Sequence, residues 1–157
     1  MKVTSKLDTR RLVPIDQMTG EDKEETALLT ELLQEARDFL TAMPWCQGIR
    51  REFYGLGIGG VVGVFLFEIT AKKGVDNPLW VICGDLPCAY LVTDQAPTPT
   101  AALRLYCELM SDWIAAVRKG TDLSEVFPVP VEPTKENAKQ LEKRIRLLRT
   151  KIIPAFE

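Results

Sequence analysis

Residues 61–92 read VVGVFLFEITAKKGVDNPLWVICGDLPCAYLV, three apolar segments joined by two short connections rich in turn-forming residues. In the first segment large apolar residues occupy both faces of an extended chain, with Val64 and Leu66 on one face and Phe65 and Phe67 on the other. This pattern predicts a central strand that is covered on both sides, or one whose second face meets a partner. Because the connections are short, we predict that consecutive strands pair as an antiparallel meander.

An acidic segment rich in leucine precedes the strands. Residues 21–25 place negative charge where a helix N-terminus favours it, and apolar residues then recur at helical spacing. The pattern predicts a helix from about 21 to 43 that ends at Pro44. Residues 1–19 alternate only weakly and contain Pro14, so we predict an N-terminal arm that is in part extended.

Two further helices are predicted after the strands. Pro99 suits the first helical position, and Gly120 suits the end of that helix. Thr134 caps a last helix that Pro154 is expected to break. The three prolines between residues 121 and 133 predict an extended connection.

The whole composition is typical of one globular domain. The 157 residues are 46% hydrophobic and 27% charged, with a net charge of −2. We therefore predict an α+β fold over residues 1–157: an N-terminal helix, a three- to four-stranded antiparallel sheet, and two C-terminal helices packed on one face. No secretory signal and no membrane-spanning segment are recognised, so we expect a cytoplasmic protein with no membrane partner and reduced cysteines.

The chain contains no histidine, which removes the usual general base at neutral pH and the commonest transition-metal ligand. We accordingly assign no catalytic residue, no metal site and no cofactor, and a non-catalytic role is favoured. Residues 55–60, GLGIGG, match the glycine pattern of dinucleotide-binding loops. Valines follow it instead of a helix, so we predict a hairpin bend or a bulge there.

The region around residues 84–90 holds the first candidate binding residues. Cys83 and Cys88 are predicted to face each other across a turn, as buried or incidental thiols, with a labile disulfide and a metal site as alternatives. Asp85 lies in that turn, at a position where function is often found. With Tyr90 and Tyr106 it would form a small-molecule site between the second helix and the sheet.

Charge is unevenly distributed along the chain. Residues 21–40 hold seven acidic and two basic side chains, whereas residues 135–151 hold seven basic and two acidic ones. These helices are expected to pack side by side or to face solvent. Alternatively, Arg144, Arg146 and Arg149 form a basic face that binds an acidic partner or a phosphate backbone.

The string from Trp80 to Pro87, WVICGDLP, followed by Tyr90, resembles the uncharacterised bacterial family catalogued as domain of unknown function 4826. The upstream Trp45-Cys46 pair and a helix entered through Pro99 are similar to that family as well. The resemblance covers about residues 45–115. It implies a small stand-alone bacterial protein and carries over no activity.

Taken together, these features favour a small protein-binding module, in one form a bacterial immunity-type protein that neutralises a toxin, with its acidic helix mimicking a nucleic-acid backbone. The alternative is a small-molecule-binding protein or an unusual enzyme with its site near residues 84–90. A third hypothesis is nucleic-acid binding by the basic C-terminal helix, which the lack of interleaved aromatic residues disfavours. A homodimer through an open sheet face or edge stays an open alternative.

Overall fold

The computed structural model describes residues 7–157 and contains one antiparallel sheet with helices on both of its faces. The strands are β1 (Val13–Pro14), β2 (Cys46–Ile58), β3 (Val62–Ala71), β4 (Leu79–Gly84) and β5 (Leu86–Val92). The helices are α1 (Lys23–Thr41), α2 (Pro99–Lys119), α3 (Lys135–Leu147) and the short α4 (Ile153–Phe156). The predicted α+β fold, with a helix before the sheet and helices after it, is confirmed.

The strands lie in the sheet in their chain order, each antiparallel to the next. The prediction of three or four strands missed β1, where Val13 pairs with Tyr54 of β2. Residues 1–19 were predicted as an arm that is in part extended, and their weak alternation did not indicate that two of them pair with β2. At the sheet edge Pro14 need not donate a ladder hydrogen bond. The first six residues of the predicted arm lie outside the described part of the chain.

Two apolar layers cover the sheet, one on each side. Phe65 and Phe67 pack with the buried leucines of α1 on one face. Val64, Leu66 and Trp80 pack with α2 and the C-terminal helices on the other. The first of the two predictions for this segment, a central strand covered on both sides, is therefore confirmed for β3.

The ends of α1 and α2 agree with their sequence signals, but the end of the last helix does not. Asp22 and Thr98 cap the two helices, and Gly120 ends α2 in the left-handed conformation. Pro154 does not break the last helix. A single π-helical turn over Leu148–Ile152 separates α3 from α4, so Pro154 falls within the first turn of α4, where its missing N–H costs no bond.

The helices of opposite charge do not pack side by side. α1 covers one face of the sheet, whereas α3 packs against α2 on the other face. The predicted extended connection over residues 121–133 contains one short 3-10 turn, Leu123–Glu125. Within residues 7–157, none of the helices combines the length and apolar character needed to cross a membrane.

The glycine-rich segment forms the end of β2 and the turn into β3. The pairing register shifts between Tyr54 and Leu56, so both a bulge and a hairpin bend are present, as predicted. Gly59 lies against α1: its N–H donates to the Glu25 carboxylate at 2.9 Å, and a Cβ there would lie 2.4 Å from Leu28 Cβ. The glycine at this position therefore serves close packing of the hairpin on the helix.

Candidate functional site

The β4–β5 hairpin carries the predicted site residue Asp85 at its tip. The Asp85 N–H donates to the carbonyl of Val61 at 3.0 Å, which ties the tip to the start of β3. Arg144 of α3 donates through Nε to the Asp85 carbonyl at 2.6 Å and lies 3.3 Å from its carboxylate. This contact borders a surface cleft of about 400 Å³ that Val131 and Gln140 also line. The structure therefore brings Asp85 and Arg144 together.

The other two predicted residues of this region lie on opposite faces of the sheet. Tyr106 belongs to α2 and is buried against the sheet, where its hydroxyl donates to the Pro87 carbonyl at 2.7 Å. Burial raises the pKa of Tyr106 far above its ordinary value, so the hydroxyl stays protonated and can donate. Tyr90 lies on the α1 side, edge-on to Trp45 with ring centroids 5.0 Å apart. A shared site of Asp85, Tyr90 and Tyr106 is therefore not assembled.

Replacing Tyr106 by phenylalanine tests how firmly this hydroxyl holds the hairpin. We expect Tyr106→Phe to lower the free energy of unfolding by about 1–2 kcal/mol, because the partly buried Pro87 carbonyl loses its donor. Denaturant titration of both proteins measures the loss. Tyr90→Phe is the matched control, since within residues 7–157 the Tyr90 hydroxyl forms no hydrogen bond. Equal effects of the two substitutions would show that the Tyr106 hydroxyl does not stabilise the hairpin.

The three arginines of the predicted basic face do not point in the same direction. Arg144 points to the hairpin, whereas Arg146 and Arg149 border a groove of about 480 Å³ between α2 and α3. In that groove Glu142 accepts hydrogen bonds from Arg118 of α2 and lies 3.8 Å from Arg146. A continuous basic face of Arg144, Arg146 and Arg149 is therefore not formed.

Cys83 and Cys88 lie opposite each other at the end of the hairpin, on the side that faces α1. Their Cα atoms are 4.4 Å apart, and their sulfur atoms are bonded as a disulfide. The predicted cross-strand placement is confirmed, but the favoured interpretation as thiols is wrong for this pair, because the two Cα atoms lie close enough for the sulfurs to bond. Cys46 and Cys107 are free thiols.

The carboxylate of Glu35, on α1, lies next to the cysteine pair and forms a three-residue cluster with it. Glu35 places Oε1 3.2 Å from Cys88 Sγ, and the potential ligand atoms of Glu35, Cys83 and Cys88 all lie within 4.8 Å of one another. Partial burial raises the pKa of the Glu35 carboxyl. Sequence reasoning missed Glu35, because a separation of more than 45 residues hides the contact. One signal was available: helical spacing directs Leu32 and Ala36 to the sheet, which places the neighbouring Glu35 near the edge of that buried side.

The outer surface of α1 carries a line of carboxylates. Glu24, Glu31, Glu35 and Asp38 are all exposed and follow one another at intervals of seven, four and three residues, which places them on one side of the helix. We call these four residues the acidic stripe. No ion pair joins them to any described residue of the chain, and Arg37 of the same helix pairs instead with Glu52 of β2.

Comparison of the chain with protein-family models, with curated proteins and with solved structures gives no match. The resemblance to the uncharacterised bacterial family therefore stays a prediction that rests on the residues quoted for it. Functional inference accordingly depends on the surfaces described above: the acidic stripe, the hairpin with its cysteine pair, and the groove between α2 and α3.

Proposed function

We propose that this chain is a small non-catalytic protein-binding module whose partner docks on the acidic stripe. The observation that carries the proposal is the division of α1 into two sides. Its leucines pack on the sheet, while four carboxylates face solvent with no paired cation among residues 7–157. A line of uncompensated carboxylates attracts a basic surface and favours rapid, oriented association with it.

In its narrower form, the proposal is a cytoplasmic, bacterial immunity-type protein. A line of negative charges resembles the phosphate backbone that a basic nucleic-acid-degrading toxin would bind. Covering such a toxin's active site with the acidic stripe would block access of its substrate. The resemblance at Trp80–Pro87 supports a bacterial origin.

The C-terminal helix offers weaker support for the nucleic-acid alternative. Arg144 donates to Asp85, and Arg146 lies beside Glu142, so two of the three predicted cations have acidic neighbours. Each of these carboxylates reduces the attraction of the surface for a phosphate. We therefore place the partner surface on α1 and not on α3.

Neutralising the acidic stripe tests the proposal directly. The variant carries Glu24→Gln, Glu31→Gln and Asp38→Asn, and leaves Glu35 unchanged so that the cysteine pair is undisturbed. In affinity capture from a lysate of the native host, we expect the wild-type chain to retain one stoichiometric basic protein. With that purified partner, the variant should bind about tenfold more weakly or worse, and raising the salt concentration should weaken wild-type binding.

The matched control removes three charges elsewhere, through Glu108→Gln, Asp112→Asn and Glu132→Gln, which are exposed positions away from α1. This control should bind as the wild type does. Equal loss in both variants would indicate a general charge effect and contradict a specific surface. Capture of no protein would overturn the proposed binding function. Light scattering that shows a dimer of this chain would overturn the proposal of a different protein as partner and indicate self-association.

A further inference from the structure

The cysteine pair of the β4–β5 hairpin combines one protected and one accessible sulfur. Cys83 is fully buried beneath α1, whereas Cys88 is partly exposed beside the Glu35 carboxylate. In thiol–disulfide exchange an incoming sulfur must reach one sulfur atom of the pair along the bond axis. The exposed position of Cys88 makes it the sulfur that external thiols and disulfides can reach.

A purely structural role for this disulfide is poorly supported. The bond encloses only the four residues between the cysteines, and the pairs Ile82–Ala89 and Gly84–Leu86 already hold the strands together on either side of it. Closing so short a loop removes less chain entropy from the unfolded state than closing a long one. The bond therefore links two strand positions that the neighbouring backbone pairs already hold close together.

The Glu35 carboxylate is better satisfied when the pair is reduced. Its Oε1 lies 3.2 Å from Cys88 Sγ, which is a hydrogen-bonding distance for a thiol donor. A disulfide sulfur carries no proton, so in the oxidised state the carboxylate has no donor there. Glu35 consequently favours the dithiol over the disulfide.

We propose that Cys83 and Cys88 form a reversible dithiol–disulfide couple that exchanges through Cys88 with low-molecular-weight thiols and disulfides of the glutathione class, and that Glu35 stabilises its reduced state. In a cytoplasmic protein such a pair serves redox chemistry and not permanent cross-linking. Glu35 also belongs to the acidic stripe, but the couple is tested without any protein partner, so failure of the couple and failure of the partner surface are distinguishable.

Oxidation proceeds in two exchange steps. The Cys88 thiolate attacks one sulfur of the small disulfide, whose S–S bond breaks, and the departing thiolate takes up the proton that Cys88 released. The Cys83 thiolate then attacks Cys88 Sγ, the mixed disulfide breaks, and the second small thiolate takes up the Cys83 proton. In sum, one dithiol and one small disulfide give the protein disulfide and two small thiols, and two electrons pass to the small disulfide.

The couple is tested by equilibrating the full chain in mixtures of reduced and oxidised glutathione, with a chelator present and oxygen excluded. Acid quenching, alkylation and mass spectrometry then count free thiols and locate them by peptide mapping. We expect Cys83 and Cys88 to lose their thiols together, as one disulfide without bound glutathione, in oxidising mixtures and to regain both in reducing ones. A chain whose Cys83 and Cys88 stay thiols in every mixture contradicts this, and a chain that keeps its disulfide in excess reduced glutathione would overturn the proposal as well.

Single-cysteine variants identify the reacting sulfur. Cys83→Ser should accumulate a mixed disulfide with glutathione on Cys88, whereas Cys88→Ser should leave the buried Cys83 unmodified. Equal modification of both variants, or none in Cys83→Ser, would contradict exchange through Cys88. Should either variant fold poorly, the order in which Cys83 and Cys88 of the reduced wild-type chain are alkylated provides the same distinction, with Cys88 expected first.

Glu35→Ala measures the contribution of the carboxylate. Loss of the thiol's acceptor should shift the equilibrium constant with glutathione about three- to tenfold toward the protein disulfide. Glu35→Gln, which keeps a neutral acceptor, should shift it less. Glu108→Gln removes the same charge from α2 and should leave the constant unchanged. An unchanged constant in Glu35→Ala, or a shift toward the dithiol, would overturn the role of Glu35.

Discussion

Gly84→Ala is expected to lower the free energy of unfolding by about 3–5 kcal/mol, the sum of backbone strain and a steric clash. Gly84 ends β4 with φ at +148°, a conformation that side-chain-bearing residues rarely adopt. A Cβ at this position would lie 2.2 Å from the Val61 carbonyl oxygen and 2.8 Å from Val62 Cα. Both contacts are backbone atoms of the neighbouring strand, so they move only if the strand pairing changes.

The same clash would disturb the tip of the hairpin, because the Val61 carbonyl accepts the hydrogen bond from the Asp85 N–H. Urea denaturation followed by circular dichroism measures the loss. Gly48→Ala is the matched control: its φ is +151°, but nothing lies within 4 Å of the added methyl group. It should therefore show the backbone strain alone, about 1–3 kcal/mol. Equal losses in the two variants would show that the close approach to Val61 contributes nothing.

Trp80→Ala should cost a similar amount, about 3–5 kcal/mol, through a cavity in the layer between the sheet and α2. Trp80 is fully buried, and its Nε1–H donates to the Ala96 carbonyl at 2.8 Å. The substitution thus removes a large apolar surface and leaves a buried acceptor without its donor. Since domains are stable by about 5–15 kcal/mol in total, this loss is a substantial share of the stability of the fold.

Two companion variants separate the contributions at Trp80. Trp80→Phe keeps most of the apolar volume and loses the hydrogen bond, so its cost should be about 1–3 kcal/mol. Trp45→Ala removes a half-buried indole that packs against Tyr90 and should cost less than Trp80→Ala. Guanidinium denaturation of the three proteins tests this order. A larger loss from Trp45→Ala would contradict the deeper burial of Trp80.

The candidate surfaces were predictable to different degrees. The exposed charge of α1 follows from residues 21–40 alone, because helical spacing separates the leucines from the carboxylates. The opposed cysteines follow from the turn between them. Glu35 beside Cys88, in contrast, depends on how α1 lies across the sheet. Helical spacing indicates which side of α1 meets the sheet, but not which strand residue lies next to Glu35.

The local elements of this protein are determined by its sequence. They are the capped helices that begin near Asp22 and Thr98, the left-handed Gly120 that ends α2, and β3, which is apolar on both faces. These features arise from interactions between residues close together in the chain, so the local sequence pattern is sufficient to predict them. The tertiary structure alone decides that β1 joins the sheet, that Tyr90 and Tyr106 lie on opposite faces, and that Arg144 reaches Asp85. Each of these depends on contacts between residues far apart in the chain, whose free energies are realised only when the helices and the sheet pack together.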